Sequence, residues 1–166
     1  MIKVMFVNSE VDYIEASRAC YYGSRLAGID LIIEILVLLV SITIWVILGF
    51  SWILVLIIVG CILGLIIRMF GYFVLPKIRY RKEPKYKDEY LLEFDDEGIH
   101  FKTKSLESKL EWSLYNKVIE TDKIYILVYG KYNFSIIPKR ALLTETDKID
   151  FKILLDKYIK EKVNKI

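Results

Sequence analysis

The chain has 166 residues, 55% of them hydrophobic and 27% charged, with a mean hydropathy of +0.38 and a formal net charge of +3. So small an excess of positive charge gives no case for nucleic acid as a partner, and two cysteines, Cys20 and Cys61, do not amount to a disulfide framework. The apolar residues concentrate in one stretch, Ile35 to Ile67, which holds no charged side chain.

Before that stretch, Met1–Val7 is a short run rich in Ile, Val and Phe and reads as one β-strand. Ser9 followed by Asp12 is a capping-box pattern, so a helix is expected to start there. It would carry Val11, Ile14 and Tyr21–Tyr22 towards a membrane, with Gly23 or Gly28 as its break. The apolar run begins too far from Met1, and is too long, for a cleaved signal peptide.

Gly49-Phe50-Ser51 interrupts the run. On either side, 29–48 and 52–74 are each long enough to cross a hydrocarbon core of ~30 Å, whereas one continuous helix would be about twice that thickness. A transmembrane helical hairpin is therefore expected. Gly60 and Gly64 form a small-xxx-small motif, and Arg68 continues the same helical face. Glu34 and Ser41 share a face of the first helix, and counting from the turn sets Ser41 opposite Gly60 and Glu34 opposite Arg68. Glu34 and Arg68 are then an intramembrane ion pair, or else two groups snorkelling at the membrane edge. If the helices have no fixed face, the glycines serve a contact with a second copy of the chain, a homodimer.

Lys77, Arg79, Arg81, Lys82, Lys85 and Lys87 follow the second span, and the positive-inside rule keeps this flank cytoplasmic. Two spans return the chain to its starting side, so both termini are expected in the cytoplasm. The flank has a second reading, as a patch for anionic headgroups beside the bilayer. Pro76 is expected to stop the second helix, and Pro84 to end the linker.

The pattern then alternates. Tyr90, Leu92 and Phe94 share one face of a strand, Asp96-Glu97-Gly98 supplies a turn, and Ile99, Phe101 and Thr103 share a face of the next. Leu110 and Trp112 mark a third, followed by Val118-Ile119, Ile124–Tyr129 and Tyr132–Ile137, which Pro138 ends. This is an antiparallel meander of five or six short strands. Thr144 with Asp147 is a second capping box, and Phe151, Leu154, Leu155, Tyr158 and Ile159 form an apolar stripe on the helix that follows. The expected fold is a membrane-anchored α+β chain. Its segments are a strand and pre-membrane helix (1–28), a transmembrane hairpin (29–74), a basic linker (75–87) and a small antiparallel sheet domain closed by a C-terminal helix (88–163).

Two apolar helices and a basic linker, followed by Asp95-Asp96-Glu97-Gly98-Ile99, Leu110-Glu111-Trp112-Ser113, Lys117-Val118-Ile119-Glu120 and Ile136-Ile137-Pro138-Lys139-Arg140-Ala141, resemble the YcxB-like family of bacterial membrane proteins over nearly the whole chain. The resemblance implies a cytoplasmic domain similar to a pleckstrin-homology fold, a bent antiparallel sheet closed by a C-terminal helix. These motifs are structural rather than chemical, so they imply fold and topology and no mechanism. The chain departs from the pattern in its short stretch before the hairpin, where a single apolar run could add a strand.

Chemistry is sparse. His100 is the single histidine and has no partner at ligand spacing, and Asp95-Asp96-Glu97 lacks the spacing of a calcium loop. No phosphate-binding loop, dinucleotide fingerprint or nucleophile elbow occurs. The expectation is a non-enzymatic, membrane-tethered binding or regulatory module without a cofactor, whose partners are the bilayer and an unidentified protein. The alternative is a membrane self-protection factor against a bacteriocin or toxin, suggested by the small size and minimal anchor.

Overall fold

The computed structural model describes residues 2–21, 25–104, 106–130 and 133–164. The expectations placed on Tyr22, Gly23 and Tyr132 lie outside these. Strand β1 (Ile2–Val7) leads into helix α1 (Glu10–Tyr21), which is capped reciprocally: the Asp12 N–H donates to Ser9 Oγ at 3.1 Å and the Ser9 N–H to Asp12 Oδ2 at 2.9 Å. Helices α2 (Arg25–Leu48) and α3 (Trp52–Phe73) form the expected antiparallel pair around Gly49, whose φ of +83° suits glycine. Gly28 lies inside α2 and does not break it.

The chain pauses at Val74 and resumes as α4 (Leu75–Lys82), with Pro76 in its first turn. Pro76 thus opens a helix instead of closing one, because its missing N–H costs nothing at a helix start. The basic linker is therefore helical, ending in a 3-10 turn over Pro84–Lys87.

Strands β2 (Glu89–Phe94), β3 (Ile99–Lys102) and β4 (Glu107–Leu110) form an antiparallel meander, and β1 adds to its edge with Val4 opposite Leu92. The hairpin is thus inserted between two neighbouring strands of one sheet. The turn after β2 is closed by Asp95, whose Oδ1 accepts the N–H groups of Glu97 and Gly98 at 2.9 Å. Trp112 lies beyond β4, in a 3-10 turn, yet is buried as the alternation predicts. Its indole N–H donates to Asp95 O at 2.8 Å, and its ring stacks on Tyr158.

The second sheet runs β7 (Asn133–Pro138), β6 (Ile124–Tyr129), β5 (Lys117–Glu120), β8 (Glu161–Asn164). Its last pairing is parallel, Ile119 facing Val163, which corrects the wholly antiparallel expectation and makes a strand, not a helix, the last element. Helix α5 (Glu145–Tyr158) starts at the Thr144–Asp147 capping box and buries Phe151 and Leu155, with Leu154 and Tyr158 packed alongside.

Two apolar clusters result. Phe94, Ile99, Leu127, Ile137, Phe151 and Leu155 fill the space between the sheets and α5. Tyr13 and Ala16 of α1 cover Ile119, Ile124, Ile126 and Ile136 on the other face of the second sheet. Strand β6 is buried on both faces, which explains its unbroken apolar sequence. Helix α1 therefore turns Asp12, Tyr13, Ala16 and Ser17 inward against β6, β7 and α4, and leaves Val11 59% exposed. The sheet offers Tyr13 a filled aromatic site, and that overrides the Val11–Ile14 face the sequence suggests.

A candidate ligand cavity beneath the linker helix

The sheets do not close fully on each other. Between them lies a cavity of about 500 Å³, within the ~300–1,000 Å³ usual for small-molecule sites. Leu92, Ile99, Phe101 and Leu110 of the first sheet and Leu127 and Ile137 of the second supply apolar walls. The end under the linker is polar and aromatic: Asn8, Tyr13, Tyr21, Arg79, Lys85, Tyr86 and Tyr90 converge there. They converge because α1 and α4 pack together, and the Tyr13 ring lies 4.3 Å from Tyr86 and 5.9 Å from Tyr80.

The hydrogen bonding leaves one group over. Tyr80 OH donates to Asn8 O at 2.7 Å, and Tyr90 OH donates to Lys85 O at 2.6 Å. Asn8 is 4% exposed, and its Oδ1 has no hydrogen-bond partner. Burial pushes the Tyr90 and Tyr115 hydroxyls up to about 12, and it raises Tyr13 further, with Tyr86 adding to the effect. Tyr13, Tyr90 and Tyr115 thus present hydroxyls, not phenolates, at physiological pH.

Of the basic flank, Lys77 and Lys82 are exposed. Arg81 is tied to Glu10 of α1 at 3.3 Å. Arg79 leans over the Tyr21 ring at 5.9 Å and, among the described residues, pairs with no carboxylate. Lys85 lies a loose 3.7 Å from Glu83. A second strap joins this end to the hairpin: Arg18 donates to Tyr72 O at 3.2 Å and covers the Tyr72 ring at 4.5 Å.

Within the hairpin, Arg68 Nε sits 3.4 Å from Glu34 Oε2, so these residues come together. The glycines do not behave alike. A methyl group at Gly64 would collide with the Glu34 carboxylate, whereas at Gly60 it would meet nothing within 4 Å. Gly60 is therefore no close-approach point, and only Gly64 makes room for a side chain. Ser41 is buried, at 6% exposure.

The remaining candidates are structural. His100 Nε2 lies 3.5 Å from Asp95 and is 45% exposed, and Asp96 accepts from Lys157 and Tyr158. Among the described residues no three His, Cys, Asp or Glu side chains converge as a metal site. Sequence reasoning missed the cavity and Asn8. The signal available was tyrosine, 12 residues against 8 phenylalanines, with Tyr86, Tyr90, Tyr115 and Tyr129 all in or beside the strands.

Residues 94–155 match the family model described as YcxB-like protein. No curated protein and no solved structure matches the chain. The matched stretch runs from the last residue of β2 into α5, so it supplies part of both sheets and much of the cavity wall but not the hairpin. Over residues 94–155 the chain is thus similar to the YcxB-like family.

Proposed function

We propose that the protein is a membrane-tethered, non-enzymatic binding module whose site is the cavity between its sheets. One observation carries this: a cavity of about 500 Å³ between the sheets takes part of its lining, Arg79, from the helix that continues from α3. The two hairpin helices, Gly28–Leu48 and Trp52–Phe73, are long and apolar enough to cross a membrane, and almost nothing in them is buried. With the basic flank inside, both termini and the sheet domain are cytoplasmic, and the cavity mouth lies at headgroup depth. The four-stranded β1–β4 sheet, the β5–β7 meander and α5 support a pleckstrin-homology-like domain with its anchor inserted after the first strand.

The test is native mass spectrometry of the full chain extracted from its membrane in polymer nanodiscs. A retained small molecule is expected. It should be lost in Ser135→Phe, which fills the cavity from β7, and kept in Ser113→Phe, which lies outside it. Equal occupancy in both variants would overturn the cavity as the site.

A further inference from the structure

We infer that the cavity takes an anionic amphiphile with one acyl chain between the sheets, its hydroxyl on Asn8 and its acidic head at Arg79 and Lys85. This rests on the cavity being the binding site of a membrane-tethered module, and three independent features specify the ligand.

The first is shape and lining. Between the sheets the walls are aliphatic and aromatic side chains from both, with the Tyr115 and Ser135 hydroxyls and the Asn133 carboxamide as uncharged polar groups among them. At ~30 Å³ for a water-sized group, about 500 Å³ holds on the order of 15 heavy atoms, the size of one acyl chain and not of two.

The second is the orphaned oxygen. Buried polar groups are almost always paired, and an unpaired acceptor in a cavity wall is poised for a donor. Asn8, 4% exposed, lines the linker end of the cavity, and a turn of its carboxamide brings this shielded, unpartnered acceptor to a ligand there. Tyr80 and Tyr90 already direct their hydroxyls to backbone oxygens, so neither satisfies it. The ligand must bring an O–H or N–H to that point. A glycerol hydroxyl next to an acyl ester meets this requirement, and a plain hydrocarbon does not.

The third is charge at the mouth. Arg79 and Lys85 share the lining with Asn8, Arg79 with no carboxylate partner among the described residues and Lys85 only loosely held by Glu83. A phosphate or carboxylate there gains charge-assisted hydrogen bonds without displacing a strong ion pair. Chain, hydroxyl and anion thus fall in the order in which a lysophospholipid carries them. The head sits at Arg79 of α4, the helix that continues from α3, so an amphiphile enters from that side by its tail.

The experiment uses the full chain reconstituted in phosphatidylcholine nanodiscs. Lysophosphatidylglycerol with a diazirine near the chain end is added, and crosslinked peptides are mapped by mass spectrometry. Labelling of residues 99–101, 110 and 127 is expected, reduced about tenfold in Arg79→Gln and in Lys85→Gln, the loss expected for one charged contact. Asn8→Leu should lower labelling as well. Arg79 is exposed, so its variant keeps the fold even where Asn8→Leu does not. A diacyl phosphatidylglycerol probe distinguishes the source: labelling by it means a bilayer lipid lends one chain, and labelling only by the monoacyl probe means a free amphiphile. Both results support the ligand class. Labelling confined to α2 and α3 would overturn the proposal, and so would equal labelling by the zwitterionic choline analogue. If native mass spectrometry still showed a cavity-dependent mass, the binding module would stand and the ligand class alone would fall.

Discussion

Ile126 on β6 is fully buried, whereas Ile62 on α3 is 45% exposed. The same contrast runs through both regions. In the sheet domain apolar side chains meet others across two clusters, and in the hairpin no residue of α3 is buried at all. What this teaches is where each region takes its order from. The sheet domain derives its stability from packing density, so its geometry is fixed residue by residue. The hairpin's apolar surface points outward, and its two helices meet through a few polar and small residues: Glu34, Arg68 and Gly64.

The largest effect that could break this comparison is in the core. Phe151 is fully buried and packs edge-on to Phe94 and Tyr125 at 4.8 and 5.2 Å. Phe151→Ala should cost about 3–5 kcal/mol of sheet-domain stability, while Ile62→Ala should leave it unchanged within about 0.5 kcal/mol. Thermal unfolding of the full chain in detergent, read by protease resistance, checks both. Similar shifts for the two variants would mean the hairpin is part of the core.

A step smaller is the clasp between α1 and the turn after β7. Asp12 is 3% exposed, and Arg140 grips it with two nitrogens, at 2.9 and 2.6 Å. Burial pulls the Asp12 carboxyl upward, but the hydrogen bonds from Arg140 and Ser9 together outweigh it and hold the pKa below the ordinary 3.8. A folded pKa depressed in this way adds stability that is fully present above about pH 4 and is lost as the pH falls through the lower folded value. Asp12→Ala should therefore cost about 2–3 kcal/mol at neutral pH, from a lost cap and a charged hydrogen bond, the half-exposed Arg140 limiting the loss. Denaturant midpoints at pH 7 and pH 3 measure it: the gap between wild type and variant should narrow in acid. A gap that stayed constant would mean that Asp12 has the same pKa folded and unfolded.

Thr144→Ala sits lower again, at about 1 kcal/mol, because it removes only the cap of α5, whose hydroxyl accepts the Asp147 N–H at 3.0 Å. The same midpoints report it, and a loss above that of Asp12→Ala would reverse the order.

What was legible in the sequence follows the range over which each feature acts. Both capping boxes, the break at Gly49 and the alternation of β2 and β3 are set by residues a few positions apart, and all are found. Strand β8 was not legible: Glu161 and Lys162 carry no apolar alternation, and the strand is held by backbone pairing to β5 and by the Lys117–Glu161 ion pair at 2.7 Å. The inward face of α1 was misjudged because Tyr13 is drawn in by rings from Tyr86 and Phe134, far along the chain. The clasp joins residues 128 apart, and no local pattern announces it. The cavity is harder still, because it is a space left between two sheets. Of the candidate hairpin residues, the Glu34–Arg68 pairing was legible from depth alone, since an antiparallel pair of known turn fixes which residues face each other in height. Rotation about the helix axis is not fixed that way, so the roles of Gly60 and Gly64 could not be told apart.

That difference between the glycines gives the finest test of the comparison. Gly64 leaves room that the Glu34 carboxylate occupies beside Arg68, whereas Gly60 faces open space. A methyl at Gly64 meets the far end of a flexible side chain, so Gly64→Ala should cost little in stability: Glu34 swings aside. The effect should show in the ion pair instead. A hydrophobic carbodiimide reacts with carboxyl groups it reaches from an apolar medium, and one packed against a guanidinium is shielded from it. In nanodiscs, Glu34 of the wild-type chain should label slowly. Labelling should rise in Gly64→Leu and in Arg68→Leu, which remove the site and the partner, and stay at the wild-type rate in Gly60→Leu. If Gly60→Leu instead raised labelling as much as Gly64→Leu, both glycines would hold the helices together, and the single-point register of the hairpin would be wrong.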